Sequence, residues 1–164
     1  MLESFYSKWR VIVDELIEKK SPYLPSPPDP RDFNLYQIGV DMEAAVPTKI
    51  FLPKPPFILD QLNFPICVGA ALAGIYNSYY HKIGKLPDSN GFSMAYGYFR
   101  CKELDGIPDI PGTYPRVICK VAQQEGIVPE RVLPLQPGMK KPVLTEEMKK
   151  IAANYKIKSY ARVD

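Results

Sequence analysis

Apolar side chains recur at helical spacing near the start of the chain, at Leu2, Phe5, Trp9, Ile12, Val13, Leu16 and Ile17, with Lys, Glu and Asp between them. That pattern predicts an amphipathic helix over 2–20. The stretch SPYLPSPPDPRD at 21–32 stops it. Successive prolines lack the amide donor and clash with a helical turn, so they favour extended chain. Residues 33–60 are weakly periodic and punctuated by proline, which reads as extended surface chain with short strands. Pro65 suits a helix entrance, and Ile66 to Tyr80 runs as a helix bounded by Gly84. Its Ala70, Ala71, Ala73 and Gly74 allow close approach of neighbours, as a central helix needs.

Further along, LPDSNGFS at 86–93 is a loop in which Ser93 is placed to cap a helix over Met94 to Leu104. GIPDIPGTYP at 106–115 is turn-rich, and Pro115 to Gln124 forms the next helix, with Gly126 closing it. A loop of IVPERVLPLQPGMKKP leads to a short helix over Thr145 to Ala153, capped by Thr145. In YKIKSYARV at 155–163, Ile157, Ser159, Ala161 and Val163 alternate with Tyr, Lys and Arg, which predicts a strand.

Length and composition narrow the class. A chain of 164 residues can build one domain with a sizeable core. With 46% hydrophobic and 24% charged residues it reads as globular. A net charge of +3, with acids and bases interspersed and no dense basic block, gives no reason to expect a nucleic-acid partner. The apolar run around 64–76 is too short and too rich in Gly and Ala to span a bilayer, so no membrane partner is expected. Glu3, Arg10 and Asp14 interrupt the N-terminus where a signal peptide would be apolar. Cysteine occurs at 67, 101 and 119, an odd number that cannot all be paired within the chain. A reducing, cytoplasmic setting or an unpaired functional thiol fits that usage. The single histidine, His81, puts a Cys/His metal cluster out of reach, and no metal or other cofactor is expected.

Cys67 carries the candidate chemistry. A thiol in the first turn of a helix faces unpaired backbone N–H groups and the positive end of the helix dipole, which favour thiolate. Its neighbours Ile66, Val68 and Ala70 suit the opposite reading, a small apolar residue filling a core. On the residues alone the packing reading is the stronger. Cys101 and Cys119 lie inside predicted helices, away from any helix start, and read as core or partly exposed thiols.

The surroundings of Cys67 shift that balance. Asp60-Gln61, six residues from Gln61 to Cys67, and a small-residue helix after it resemble the active-site segment of papain-like cysteine peptidases. Downstream, FSMAYGYFRCKELDG at 92–106 and GTYPRVICKVAQQEGIVPERVLPL at 112–135 are similar to that family's next helix, glycine-rich substrate loop and following helix. PPDPRDF at 27–33 and PKPPFILDQ at 53–61 resemble the lead-in of its bacterial and phage branch. The resemblance covers roughly 27–163 in the right order.

It implies an α+β papain-like fold, mainly the helical first domain with the start of the β-rich second domain. Residues 27–164 would be that domain, C-terminally incomplete, and 1–26 an N-terminal helix and Pro-rich linker usable as a pro-segment. It implies thiol-dependent hydrolysis of a peptide or protein substrate, with Cys67 as nucleophile and Gln61 as one oxyanion donor. Gly112 and Thr113 would line the substrate cleft through their backbone, with Tyr114 and Pro115 near the second specificity pocket. A plain turn is an equal reading for Gly112.

The departures matter as much. Phe64-Pro65-Ile66 and Val68 stand where the family has Cys-Gly-Ser and Trp, so a usual disulfide is lost. Thr113 replaces a second glycine. The family's base histidine and its orienting asparagine lie further downstream, so the missing downstream segment of the same enzyme is an implied partner. His81 cannot stand in, since it follows Cys67 by fourteen residues on one predicted helix, a separation of roughly 21 Å. A base must lie within hydrogen-bond reach of its nucleophile. Two other functions stay open: a non-catalytic papain-like module that binds peptides or proteins, and a helical interaction domain in which the Gln61–Cys67 spacing is accidental.

Overall fold

The computed structural model describes residues 25–30 and 55–160. The expected helix over 2–20 lies outside these residues, as does most of 33–60. Four helices are present among them: α1 (Cys67–Lys82), α2 (Met94–Leu104), α3 (Pro115–Gln124) and α4 (Glu146–Ala152). Their bounds fall within two residues of the expected ones, because local capping chemistry sets them. Ser93 accepts a hydrogen bond from Tyr96 N at 3.0 Å at the start of α2. Thr145 accepts from Met148 N at 3.2 Å at the start of α4. Pro115, with φ already suited to helix and no amide to satisfy, opens α3.

α2 lies in the middle and packs against both α1 and α3, which also touch each other. The crossing of α1 over α2 is closest at Gly69. A methyl group there would come within 2.5 Å of the Met94 carbonyl oxygen and 3.2 Å of Tyr98 Cβ. Gly97 answers from α2: a methyl on it would meet Ile118 Cδ1 at 3.2 Å and the Gly69 Cα at 3.9 Å. Two glycines facing each other let three helices share one core of Val68, Leu72, Tyr76, Ala95, Tyr96, Phe99, Cys101, Ile118, Val121 and Ala122.

The loops complete that core. Ser93 N donates to Val128 O at 2.9 Å and Glu130 N to Gly91 O at 2.7 Å, around an antiparallel bridge between Phe92 and Pro129. Phe92, Ile127 and Val128 are thereby buried beside α1 and α2. Phe92 stacks edge-on with Tyr76 and Tyr155, at ring separations of 5.2 and 5.0 Å, and the Tyr76 hydroxyl donates to Tyr155 O at 2.9 Å. Arg100 of α2 grips Glu125 at the end of α3 with two hydrogen bonds of 2.6 and 2.7 Å.

The strand expected over 155–163 does not form across its described part. Residues 155–160 carry no strand, and residues 161–164 lie outside the described set. Ile157 N instead donates to Ala122 O at 3.1 Å, and Gln123 Nε2 to Lys158 O at 3.2 Å, so the segment is laid along the end of α3. An alternating pattern needs a neighbouring strand to become a sheet, and none is present among the described residues. The single Phe92–Pro129 bridge is their whole β content, so the helical part of the expected α+β fold is what is observed.

The Gly69 contact gives a direct test. Gly69→Ala gains helix propensity, but its methyl meets a backbone carbonyl that cannot swing aside. The net expectation is a loss of about 2 kcal/mol, read as a lower urea midpoint with an unchanged slope.

Candidate active site

Cys67 is the first residue of α1, half-buried, with its thiol free. Ile66 precedes it as the cap residue at φ −108°, and no described side chain caps this end. The first-turn N–H groups therefore keep their positive end available beside the sulfur. Ile66 and Val68 on either side are buried and anchor the turn in the core. The thiol's own row along the helix runs outward: Ala71, Ile75 and Tyr79 follow Cys67 at four-residue steps and are exposed, Ile75 by 66% and Tyr79 by 58%.

Gln61 sits in a tight turn just upstream. Phe64 N donates to Gln61 O at 3.2 Å, and Gln61 Nε2 donates back to Phe64 O, also at 3.2 Å. One of the two amide hydrogens is thus used to fix the side chain, and the second is left to donate elsewhere. Leu62 beside it has φ +55°, an uncommon conformation for a residue with a Cβ. Asp60 Oδ1 supports it by accepting from Leu62 N at 2.8 Å. Strain held by local hydrogen bonds next to a candidate donor is a feature of sites in which an arm must be fixed.

The loop expected to hold substrate is organised by a side chain that sequence reasoning passed over. Lys102 of α2 turns inward, only 7% exposed, and its ammonium meets Asp105 Oδ2 at 2.8 Å. It also donates to the carbonyl oxygens of Ile107 at 2.6 Å, Ile110 at 2.8 Å and Gly112 at 3.1 Å. The Asp105 side chain is wholly buried, and its Oδ1 accepts from Ile107 N at 3.0 Å. Gly112 has φ +84°, open to glycine and strained for other residues. Gly112 and Thr113 are buried, and Tyr114 and Pro115 are half-buried. The Thr113 hydroxyl has no hydrogen-bond partner.

Tyr98 connects this loop to the thiol helix. Its backbone lies against Gly69, and its phenol is pushed up by burial, with the Gly112 backbone opposing and the charges of Asp105 and Cys67 adding to the rise. A second contact missed by the sequence reading comes from the Pro-rich segment: Ser26 Oγ accepts from Arg116 N at 3.1 Å, capping α3 from ninety residues away. Asp29 reaches Lys120 at 3.9 Å. Lysines and serines give no periodic signal for such long-range roles.

His81 lies exposed in the last turn of α1, at the end opposite Cys67. No group of three or more His, Cys, Asp or Glu residues that could hold a metal ion occurs among the described residues. Nor is any of their helices long and apolar enough to cross a membrane.

The fold is similar to the crystal structure of xylellain, a cysteine protease from Xylella fastidiosa, with a TM-score of 0.72 and 28% sequence identity. That likeness covers 88% of this chain and 59% of xylellain, so the chain spans rather more than half the length of the protein it resembles. No protein-family model and no curated protein matches the sequence.

The three thiols are expected to react in a fixed order. Burial pushes the Cys101 thiol well up, and burial also raises Cys119, so both are poor in thiolate at neutral pH. A short iodoacetamide pulse on folded protein should label Cys67 first and Cys101 only after unfolding. Peptide mapping that finds Cys101 or Cys119 labelled first would make Cys67 a packing residue. The clamp has its own signature. Lys102→Met strands a buried carboxylate and should cost about 3 kcal/mol in urea unfolding, most of it recovered by adding Asp105→Asn.

Proposed function

We propose that this chain is the thiol-bearing part of a cysteine peptidase, with Cys67 as nucleophile and Gln61 as an oxyanion donor. The observation that carries the reading is the likeness to a cysteine protease over 88% of the chain, combined with a free thiol at the first position of α1. In this reading the Cys67 thiolate attacks the scissile carbonyl carbon, and the carbonyl oxygen takes up the charge. The second amide hydrogen of Gln61 and the Cys67 backbone N–H donate to that oxygen. Collapse expels the amine, which needs a proton, and leaves a thioester for water to hydrolyse. Peptide backbone on the substrate side lies along Gly112 to Pro115.

The proton carrier is proposed to come from the segment that follows in the same enzyme, since His81 stands at the far end of α1. The row of Ala71, Ile75 and Tyr79, exposed among the described residues, supports this. It runs straight on from Cys67, so a further body seated on it would lie beside the sulfur. Such an exposed row is costly to leave in water. That segment would be the β-rich second domain, and 27–164 the first domain.

A second reading keeps the groove and drops the chemistry: a papain-like module that binds peptides without cutting them. The distance between the one histidine and Cys67 favours it for the isolated chain.

The two readings separate in a peptidase assay. Against a mixed pool of fluorogenic peptides the 164-residue chain is expected to be silent, with turnover appearing once the sequence following residue 164 is appended. Turnover should vanish in Cys67→Ala. Silence in the extended protein would support the binding module, and Cys67-dependent turnover by the chain alone would refute the missing-base assignment.

A further inference from the structure

A lysine on a helix ordinarily extends its charge into water. Lys102 does the reverse, and what it holds is a loop with no regular structure of its own. Four oxygens converge on its ammonium within 3.1 Å, three of them main-chain carbonyls of Ile107, Ile110 and Gly112. An ammonium has three hydrogens, so one must be shared, and the loop has wrapped the cation to its capacity. Within the loop, Ile110 N also donates to Ile107 O at 3.1 Å. Ile110 is exposed, and the turn at 105–107 is closed by Asp105. One cation thus ties the chain at three main-chain points along its path from α2 to Gly112.

We propose that Lys102 is a positioning residue for peptide binding, which sets Gly112 to Pro115 in register with Cys67; this rests on the peptidase reading above. Two geometric facts support it. The peptide bonds are all trans among the described residues, so drawing the Gly112 carbonyl toward Lys102 turns the Thr113 N–H the opposite way, off the cation. Lys102 also shares α2 with Tyr98, which lies against Gly69 two residues from the thiol. Helix α2 is thus a rigid spacer with the thiol helix at one point and the loop clamp one turn further on. Lys102 touches neither the reacting atoms nor the thiol. It acts through the loop.

The test uses two reagents with the same warhead on the chain as it stands. With iodoacetamide the Cys67 thiolate displaces iodide and forms a thioether, and only the thiol environment matters. With an iodoacetyl dipeptide amide the same bond forms, but the peptide can also use the loop. Wild-type Cys67 is expected to react faster with the dipeptide reagent, after normalising each rate to free cysteine. In Lys102→Met combined with Asp105→Asn, which leaves no stranded charge, the dipeptide rate should fall about tenfold as pre-organisation is lost, with the iodoacetamide rate within twofold of wild type. Lys102→Arg keeps the charge opposite Asp105, yet its planar fork cannot meet four converging oxygens. It should show the same selective loss and serves if the double variant does not fold.

An unchanged dipeptide rate in both variants would overturn the positioning role, and so would an equal fall in both rates, which marks general damage to the fold. A wild-type protein with no preference for the dipeptide reagent would instead overturn the substrate-groove reading itself.

Discussion

The close crossing of α1 over α2 at Gly69 is the constraint from which the rest of the molecule follows. Helix axes approach this near only where one partner has no side chain at the contact. Here the facing position, Gly97, is bare as well. The consequence is positional. Cys67 lies two residues before the contact, so its place relative to α2 is set by main chain against main chain, the least deformable contact a core can make. Everything α2 carries then has a defined relation to the sulfur: Ser93 at its cap, Tyr98 at the contact, Lys102 one turn on.

Polar groups enter this arrangement where the loops must be told their course. Apolar contacts are non-directional and cannot choose among the many paths open to a loop of prolines and isoleucines. Hydrogen bonds can. Ser93 Oγ, besides capping α2, donates to Leu133 O at 2.6 Å and so ties the 130–135 loop to a helix start. Asn77 Oδ1 accepts from Phe92 N at 2.9 Å from within α1. Lys102 does the same for the loop from Asp105 to Gly112 with greater reach, because a charge strengthens each bond it makes in a dry setting. The cost is a lysine and an aspartate taken out of water together. Such pairs are seldom net stabilising, which fits a role in specifying one loop path rather than in adding stability.

Legibility in the sequence followed the range of the forces involved. Ser93, Pro115 and Thr145 act on amides three residues away or on their own φ, so α2, α3 and α4 could be bounded from the chain alone. The thiol's place at the start of α1 was legible for the same reason, once Pro65 was seen ahead of it. The course of residues 155–160 was not, because their alternation predicts a strand and a strand also needs a partner, which the described residues do not supply. Lys102 was hidden by its type: periodicity marks lysine as surface, and only the fold reveals four oxygens waiting inside. Ser26 was hidden by distance, a cap supplied to α3 from the Pro-rich segment.

The contrast among the thiols turns on the same geometry. Cys101 lies on the buried side of α2 and Cys119 within α3, each enclosed by apolar neighbours that disfavour a charged sulfur. Cys67 has the helix end behind it and an open row of Ala71, Ile75 and Tyr79 running away on its own face. A body covering that row would shield aliphatic and aromatic surface of the kind that drives association, and it would also dry the space beside the sulfur. Drying strengthens any charge interaction made there. The surface that asks to be covered and the thiol that needs a proton partner lie on one helix face, so in the proposed peptidase a single docking event would serve both. A module that only binds peptides has no need for that coincidence, and this is the physical reason to rank it second.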